Sequence, residues 1–132
     1  MDNNIINISP ITDGRGKLLF MEEHRHIPFD IKRIYYIYDV PEFIERGKHA
    51  HHDLQQAMFV LGGSMEIELD DGSSKITYTL DSPDKVLIMP KLTWRVMRKF
   101  SPGAICVVMA SLPYSEEDYI RNYNDFLTIV NG

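Results

Sequence analysis

The sequence predicts an all-β domain, and three observations carry that prediction. Apolar and β-branched residues gather in short alternating runs, Gly and Pro fall singly at the ends of those runs, and a helical repeat occurs only in the C-terminal tail. Read in order, strands are predicted over 5–9, 17–22, 31–38, 48–52, 55–61, 64–69, 74–80, 85–89, 93–99 and 104–111. Asp70-Asp71-Gly72 between two of these runs signals a tight hairpin, because Asp and Gly accept the positive φ that hairpin turns need. In the tail Ser115 is the expected N-cap and Glu116, Glu117 and Asp118 the acidic first turn. Tyr119, Ile120, Tyr123, Phe126, Leu127 and Val130 then recur at helical spacing. This helix is expected to pack on the sheet. Many short strands without helices between them admit a Greek-key sandwich or a double-sheet jelly roll, and composition does not choose between the two.

A length of 132 residues with 44% apolar and 25% charged positions suits one domain spanning 1–132. Fourteen Lys and Arg against nineteen Asp and Glu give a net charge of −5, so no basic field exists to draw nucleic acid. Apolar runs such as Ile105–Ala110 fall far short of the roughly 20 residues a membrane-spanning helix needs. The start Met1-Asp2-Asn3-Asn4 lacks the basic and apolar regions of a secretory signal, and the single Cys106 has no partner for an internal disulfide. A cytoplasmic protein with no membrane and no nucleic-acid partner is the expectation. Cys106 lies in an apolar run and reads as a structural thiol, and no Ser-His-Asp order or nucleophile elbow is present, which disfavours hydrolase chemistry.

The informative segment is Gly47-Lys48-His49-Ala50-His51-His52, followed by Gln56 and Gly63. Strand alternation puts His49 and His51 on one face and Ala50 and His52 on the other. The apolar run Ala57-Met58-Phe59-Val60-Leu61 follows, so the pair is expected to enter a core-like cavity instead of bulk water. The spacing of Gly47, His49, His51, Gln56 and Gly63 resembles the first cupin motif, which selects the jelly-roll barrel. In metal-binding cupins an acid and a later histidine complete the ligand set. Here Gln56 stands in the acid's place and Arg95 about where the later histidine belongs. Two neutral nitrogens and an amide, with a guanidinium beside them, make a poor site for a divalent ion. No metal and no cofactor are expected.

A closer resemblance covers nearly the whole chain. Asp13-x-Arg15-Gly16-x-Leu18, Ile27-Pro28-Phe29, Lys32-Arg33-Ile34-Tyr35-Tyr36-Ile37, Arg46-Gly47-x-His49-Ala50-His51, Leu69-Asp70-Asp71-Gly72, Leu80-x-Ser82-Pro83 and Asp118-Tyr119-Ile120-Arg121-x-Tyr123 together resemble the dTDP-sugar 3,4-ketoisomerases. The position of Arg95 is commonly histidine in that family. The resemblance implies a small metal-independent cupin that converts dTDP-4-keto-6-deoxyglucose into a dTDP-3-keto-6-deoxyhexose, on the way to 3-amino sugars. It also implies a homodimer with an exchanged N-terminal strand. Two other readings stand beside it: a cupin epimerase acting on the same 4-keto sugar, and a non-catalytic nucleotide-sugar-binding cupin.

Moving a carbonyl from C4 to C3 requires removal of the C3 proton, an enediol and delivery of a proton to C4. The site therefore needs a base, a partner that exchanges protons with oxygen, and donors for the developing enolate. On the family resemblance His49 is the first choice for the carbon-bound proton, with His51 second or acting on the sugar oxygens. Tyr35 is the third catalytic candidate, since alternation puts Arg33, Tyr35 and Ile37 on one face of their strand and Ile34, Tyr36 and Tyr38 on the other. No phosphate-binding glycine loop is present, so arginines must match the diphosphate. Arg15, on a Gly-flanked turn, Arg33, and Arg46, directly before the His strand, are the candidates. Gln56 and Arg95 join them as substrate-binding residues. Trp94 is a candidate for stacking on thymine and equally fits a core position.

Overall fold

Alternation decides which side of each strand is buried. In the run Met65–Asp70, Met65, Ile67 and Leu69 are buried while Glu66 and Glu68 lie half-exposed on the other face. Arg98 from a neighbouring strand reaches both acids, with Nε 3.4 Å from Glu66 and Nη2 3.6 Å from Glu68. The computed structural model describes residues 4–132. Its strands are β1 (Ile5–Asn7), β2 (Ile11–Asp13), β3 (Gly16–Leu18), β4 (Arg33–Ile37), β5 (Arg46–His51), β6 (Gln56–Leu61), β7 (Met65–Asp70), β8 (Lys75–Leu80), β9 (Lys85–Met89), β10 (Trp94–Arg98), β11 (Ile105–Ala110) and β12 (Tyr119–Ile120). A 3-10 turn (Glu116–Asp118) precedes β12, and helix α1 (Tyr123–Asn131) ends the chain.

The strands form two antiparallel five-stranded sheets, ordered β1-β9-β6-β11-β4 and β12-β5-β10-β7-β8, with β2 and β3 forming a separate two-stranded hairpin. This is the all-β jelly-roll class that the sequence predicts, with its short C-terminal helix. Among the described residues the two large sheets share no backbone pairing, so they form a double sheet and not a closed hydrogen-bonded barrel. Met58, Ile67, Leu69, Leu87, Phe100 and Val108 lead the core between them. Each such side chain contributes on the order of 2 kcal/mol through burial. Cys106 is fully buried in the same cluster, and burial pushes its thiol up to about 12, which suits a structural role.

Two elements depart from the sequence expectation. The strand expected over 17–22 is confined to Gly16–Leu18 and pairs with Ile11–Asp13, because the chain then turns over Glu22–Ile27 and buries Ile27 and Phe29 in a second apolar cluster. The helix expected to start at Ser115 starts at Tyr123. The Ser115 side chain makes no capping bond, and Asn122 is the N-cap, its side chain accepting from the Asp125 backbone N–H at 3.0 Å. Tyr119 and Ile120 are drawn out of helical geometry into pairing with β5, where Ile120 joins Ala50, Trp94 and Phe126 in a third cluster. The helix does pack on the sheet, through Phe126, and the Tyr123 hydroxyl donates to Asp70 at 2.6 Å.

Candidate active site

Strand β5 brings the two histidines together, and a bulge aims them. Arg95 in β10 pairs with His49 and Met97 pairs with Arg46, so β5 carries one extra residue over that interval. Gly47 takes the bend at φ +72°, and a Cβ there would stand 2.5 Å from the Met97 methyl carbon. Beyond the bulge the predicted alternation holds. Ala50 is buried against Trp94 and Phe126, while His49 and His51 share the other face. Their rings meet edge to face with centroids 4.9 Å apart.

A cavity of about 400 Å³ opens onto His49 and is lined also by Arg33, Tyr35, Arg46, Tyr119 and Arg121. His51 is buried behind His49. Tyr35 enters from β4, where Arg33, Tyr35 and Ile37 face inward and Ile34 and Tyr36 outward, as predicted. The Arg33 guanidinium sits 5.2 Å from the Tyr35 ring, and its buried Nε has no partner among the described residues.

Burial sets the charge state. It lowers His49 and His51 to about 3, with the Arg95 cation the next cause for both, so the imidazoles are neutral at pH 7. Asp118 sets the His51 tautomer. Its Oδ2 lies 3.1 Å from His51 Nδ1, a contact that fixes the proton on Nδ1 and leaves Nε2 as the acceptor. Asp118 also accepts the backbone N–H of Asp53 at 2.8 Å and of Leu54 at 3.2 Å, so the carboxylate is anchored by three donors. Burial raises Tyr35, which keeps its phenol protonated.

Sequence reasoning missed Asp118, Tyr119 and Arg121 as site residues. The Tyr119 ring stacks against both imidazoles, with centroids 4.9 Å from His49 and 4.4 Å from His51. Arg121 covers the Tyr119 ring at 4.1 Å and is held by a two-pronged pair with Glu116 at 2.8 and 2.9 Å. All three lie in the segment read as one helix. The available signal was the Asp-Tyr-Ile-Arg string itself, one of the segments that carry the family resemblance.

The other candidates divide. Arg33 and Arg46 line the cavity. Gln56 and Arg95 lie behind it, 1% and 2% exposed, bonded to each other, with Gln56 bonded in turn to Tyr35. Trp94 packs against Tyr123 and Phe126 with ring centroids at 5.2 and 5.8 Å, on the opposite face of the sheet from the imidazoles. Arg15 sits at the tip of the β2–β3 hairpin, folded back on Asp13 at 2.8 Å, and is not among the cavity residues. The donor set does not suit a divalent ion. Gln56 spends its carbonyl on a buried guanidinium, and no group of three or more His, Cys, Asp or Glu among the described residues could hold one. Nor is any helix there long and apolar enough to cross a membrane.

The family model described as FdtA, WxcM-like, C-terminal, matches residues 1–131. The chain belongs to this family. It is 44% identical over 126 residues to the TDP-4-oxo-6-deoxy-alpha-D-glucose-3,4-oxoisomerase of Aneurinibacillus thermoaerophilus, covering 96% of this chain and 91% of that protein. Among solved structures, a 3,4-ketoisomerase from Helicobacter canadensis superimposes with a TM-score of 0.96 at 45% identity, covering 100% of this chain and 99% of that one. A His-to-Asn variant of the 3,4-ketoisomerase QdtA from Thermoanaerobacterium thermosaccharolyticum, in complex with TDP-4-keto-6-deoxyglucose, superimposes with a TM-score of 0.94 at 38% identity, over 99% and 96% of the two chains.

Proposed function

We propose that this chain is an isomerase that converts dTDP-4-keto-6-deoxyglucose into a dTDP-3-keto-6-deoxyhexose without a cofactor, for the synthesis of 3-amino sugars. The observation that carries the reading is a neutral His49 lining one cavity with the Tyr35 phenol, with the His51 ring centroid 4.9 Å behind its own. His49 takes the hydrogen from C3 as a proton. The electron pair left behind forms the C3–C4 double bond, and Tyr35 donates to the oxygen on C4, giving the enediol. Loss of the O3 proton towards His51 restores a carbonyl at C3, His49 delivers a proton to C4, and solvent carries the proton gained by His51 back to Tyr35, which resets the site. Two hydrogens leave C3 and its oxygen and two arrive at C4 and its oxygen, so no redox partner is needed. Tyr119 packs against both rings.

Arg33, Arg46 and Arg121 supply positive charge for the diphosphate at the same cavity. Bound diphosphate offsets these cations and so raises the basicity of the imidazoles.

The assembly proposed is a homodimer with exchanged N-terminal segments. β1 pairs with β9 of its own chain, which leaves the β2–β3 hairpin as the element available for exchange. That hairpin exposes Ile11 and Leu18, and β4 ends its sheet with Ile34 and Tyr36 exposed beside an edge unpaired among the described residues. Exchange would carry Arg15 to the partner's diphosphate. The cytoplasm is the proposed location, where the lone buried Cys106 stays reduced.

The test is incubation of the protein with dTDP-4-keto-6-deoxyglucose in deuterated water, followed at the ring carbons by NMR. A 3-keto product with deuterium at C4 is expected. Deuterium and inversion at C5 would make the protein an epimerase, and unchanged sugar would make it a binding module.

A further inference from the structure

Behind the cavity lies a chain of three side chains whose hydrogen bonds can run in only one direction. Arg95 is 2% exposed, and burial lowers it to about 10, so it is charged at neutral pH. It faces no carboxylate among the described residues. Its Nη1 donates to the Gln56 carbonyl, its Nη2 donates to the Thr93 carbonyl at 3.2 Å, and its Nε has no partner there.

A guanidinium has only donors, so the Gln56 oxygen must face it. The Gln56 amide nitrogen must then face the other way, where it donates to the Tyr35 hydroxyl oxygen at 2.6 Å. The oxygen of Tyr35 is thereby an acceptor towards the interior. Its one hydrogen is left for the cavity, which Tyr35 lines and Gln56 and Arg95 do not. Hydrogen bonds in series polarise one another, and in a dry interior the effect of a buried cation is weakly screened.

We propose that Arg95 and Gln56 are positioning residues that make Tyr35 a one-way donor to the enediolate oxygen, with the unpaired Arg95 charge stabilising that anion through the relay. The inference rests on the isomerase reading above and adds to it how the phenol is oriented. It also gives the buried arginine a role, since a cation without a counter-ion in the core is costly in the resting enzyme and compensated only when negative charge develops.

Gln56→Glu tests the direction. The new carboxylate pairs with Arg95 and can only accept, so the Tyr35 hydrogen turns inward. The expected result is a kcat at least about 100-fold lower with KM changed less than about threefold. Tyr35→Phe should fall by a similar factor, and the double variant should be no slower than the slower single variant. Losses that multiply in the double variant would overturn the relay. Arg95→Lys and Arg95→Met give a second, independent reading. Lysine is also donor-only and should keep kcat within about fivefold, whereas Met frees Gln56 to rotate and should cost at least about tenfold. Equal activity of these two variants would overturn the proposal. Absence of turnover in the wild-type protein would instead defeat the isomerase reading, so the two failures are distinguishable.

Discussion

Replacing Asp118 with Asn changes one atom and inverts the logic of the His51 contact. The carboxylate accepts from His51 Nδ1 and Leu54 N with one oxygen and from Asp53 N with the other. An Asn amide cannot accept on both sides. If its oxygen stays with Asp53, its NH2 meets the Leu54 N–H and must donate to His51 Nδ1, which moves the ring proton to Nε2. Losing one or two bonds to a charged acceptor costs about 2–4 kcal/mol. For a chain of this size that lowers Tm by on the order of 10 °C. Because the wrong tautomer cannot accept a sugar hydroxyl proton, kcat should fall by about 10²–10⁴. Steady-state kinetics by NMR, thermal melts by circular dichroism and nitrogen-15 NMR of the imidazoles read the three effects separately. A folded Asp118→Asn protein with kcat within fivefold of wild type and the same His51 tautomer would refute the assignment.

Three further outcomes follow from the same geometry. The unfolded chain protonates its histidines near pH 6.5, whereas the folded His49 and His51 hold out to about 3. Stability is therefore unaffected by them above pH 6.5 and is lost as pH falls below it, by up to about 1.4 kcal/mol per pH unit for each ring. His49→Asn should remove about half of the part due to the two rings, and an unchanged pH slope in denaturant titrations would contradict this. Arg15→Ala should raise KM with kcat unchanged if the proposed strand exchange brings it to the diphosphate, and a selective kcat loss would contradict uniform phosphate binding. Gly47→Ala should destabilise by about 1–3 kcal/mol in denaturant unfolding, because a side chain at φ +72° is strained and meets Met97. A variant as stable as wild type would show that the bulge does not need glycine.

The sheets were legible wherever alternation was strong. Arg33, Tyr35 and Ile37 turned inward as a set, and His49 and His51 shared a face, because strand geometry alone dictates both. The tail was misread because Ser115 with three acids after it has the local chemistry of a helix start, and nothing local competes with it. What wins is long-range: Tyr119 and Ile120 gain pairing with β5, and Asn122 caps the helix instead. The Asp118 contact is long-range too: its partner His51 lies 67 residues away, so the sequence shows the motif without showing the role. Motif position singles out Gln56 and Arg95 and suggests contact with substrate. Only the fold reveals that Arg95 is spent on Gln56 and Thr93, and Gln56 on Arg95 and Tyr35. Arg15, expected at the diphosphate, instead folds back on Asp13 at the β2–β3 tip, outside the cavity lining of its own chain.

The central claim is that His49 moves the carbon-bound proton while the rest of the cavity holds the sugar nucleotide. Measuring dTDP-4-keto-6-deoxyglucose binding by calorimetry and turnover by NMR on His49→Asn tests both halves at once. The expected result is a Kd within about threefold of wild type with kcat at least about 100-fold lower. Binding and turnover both near wild type would remove His49 from the chemistry and the account with it.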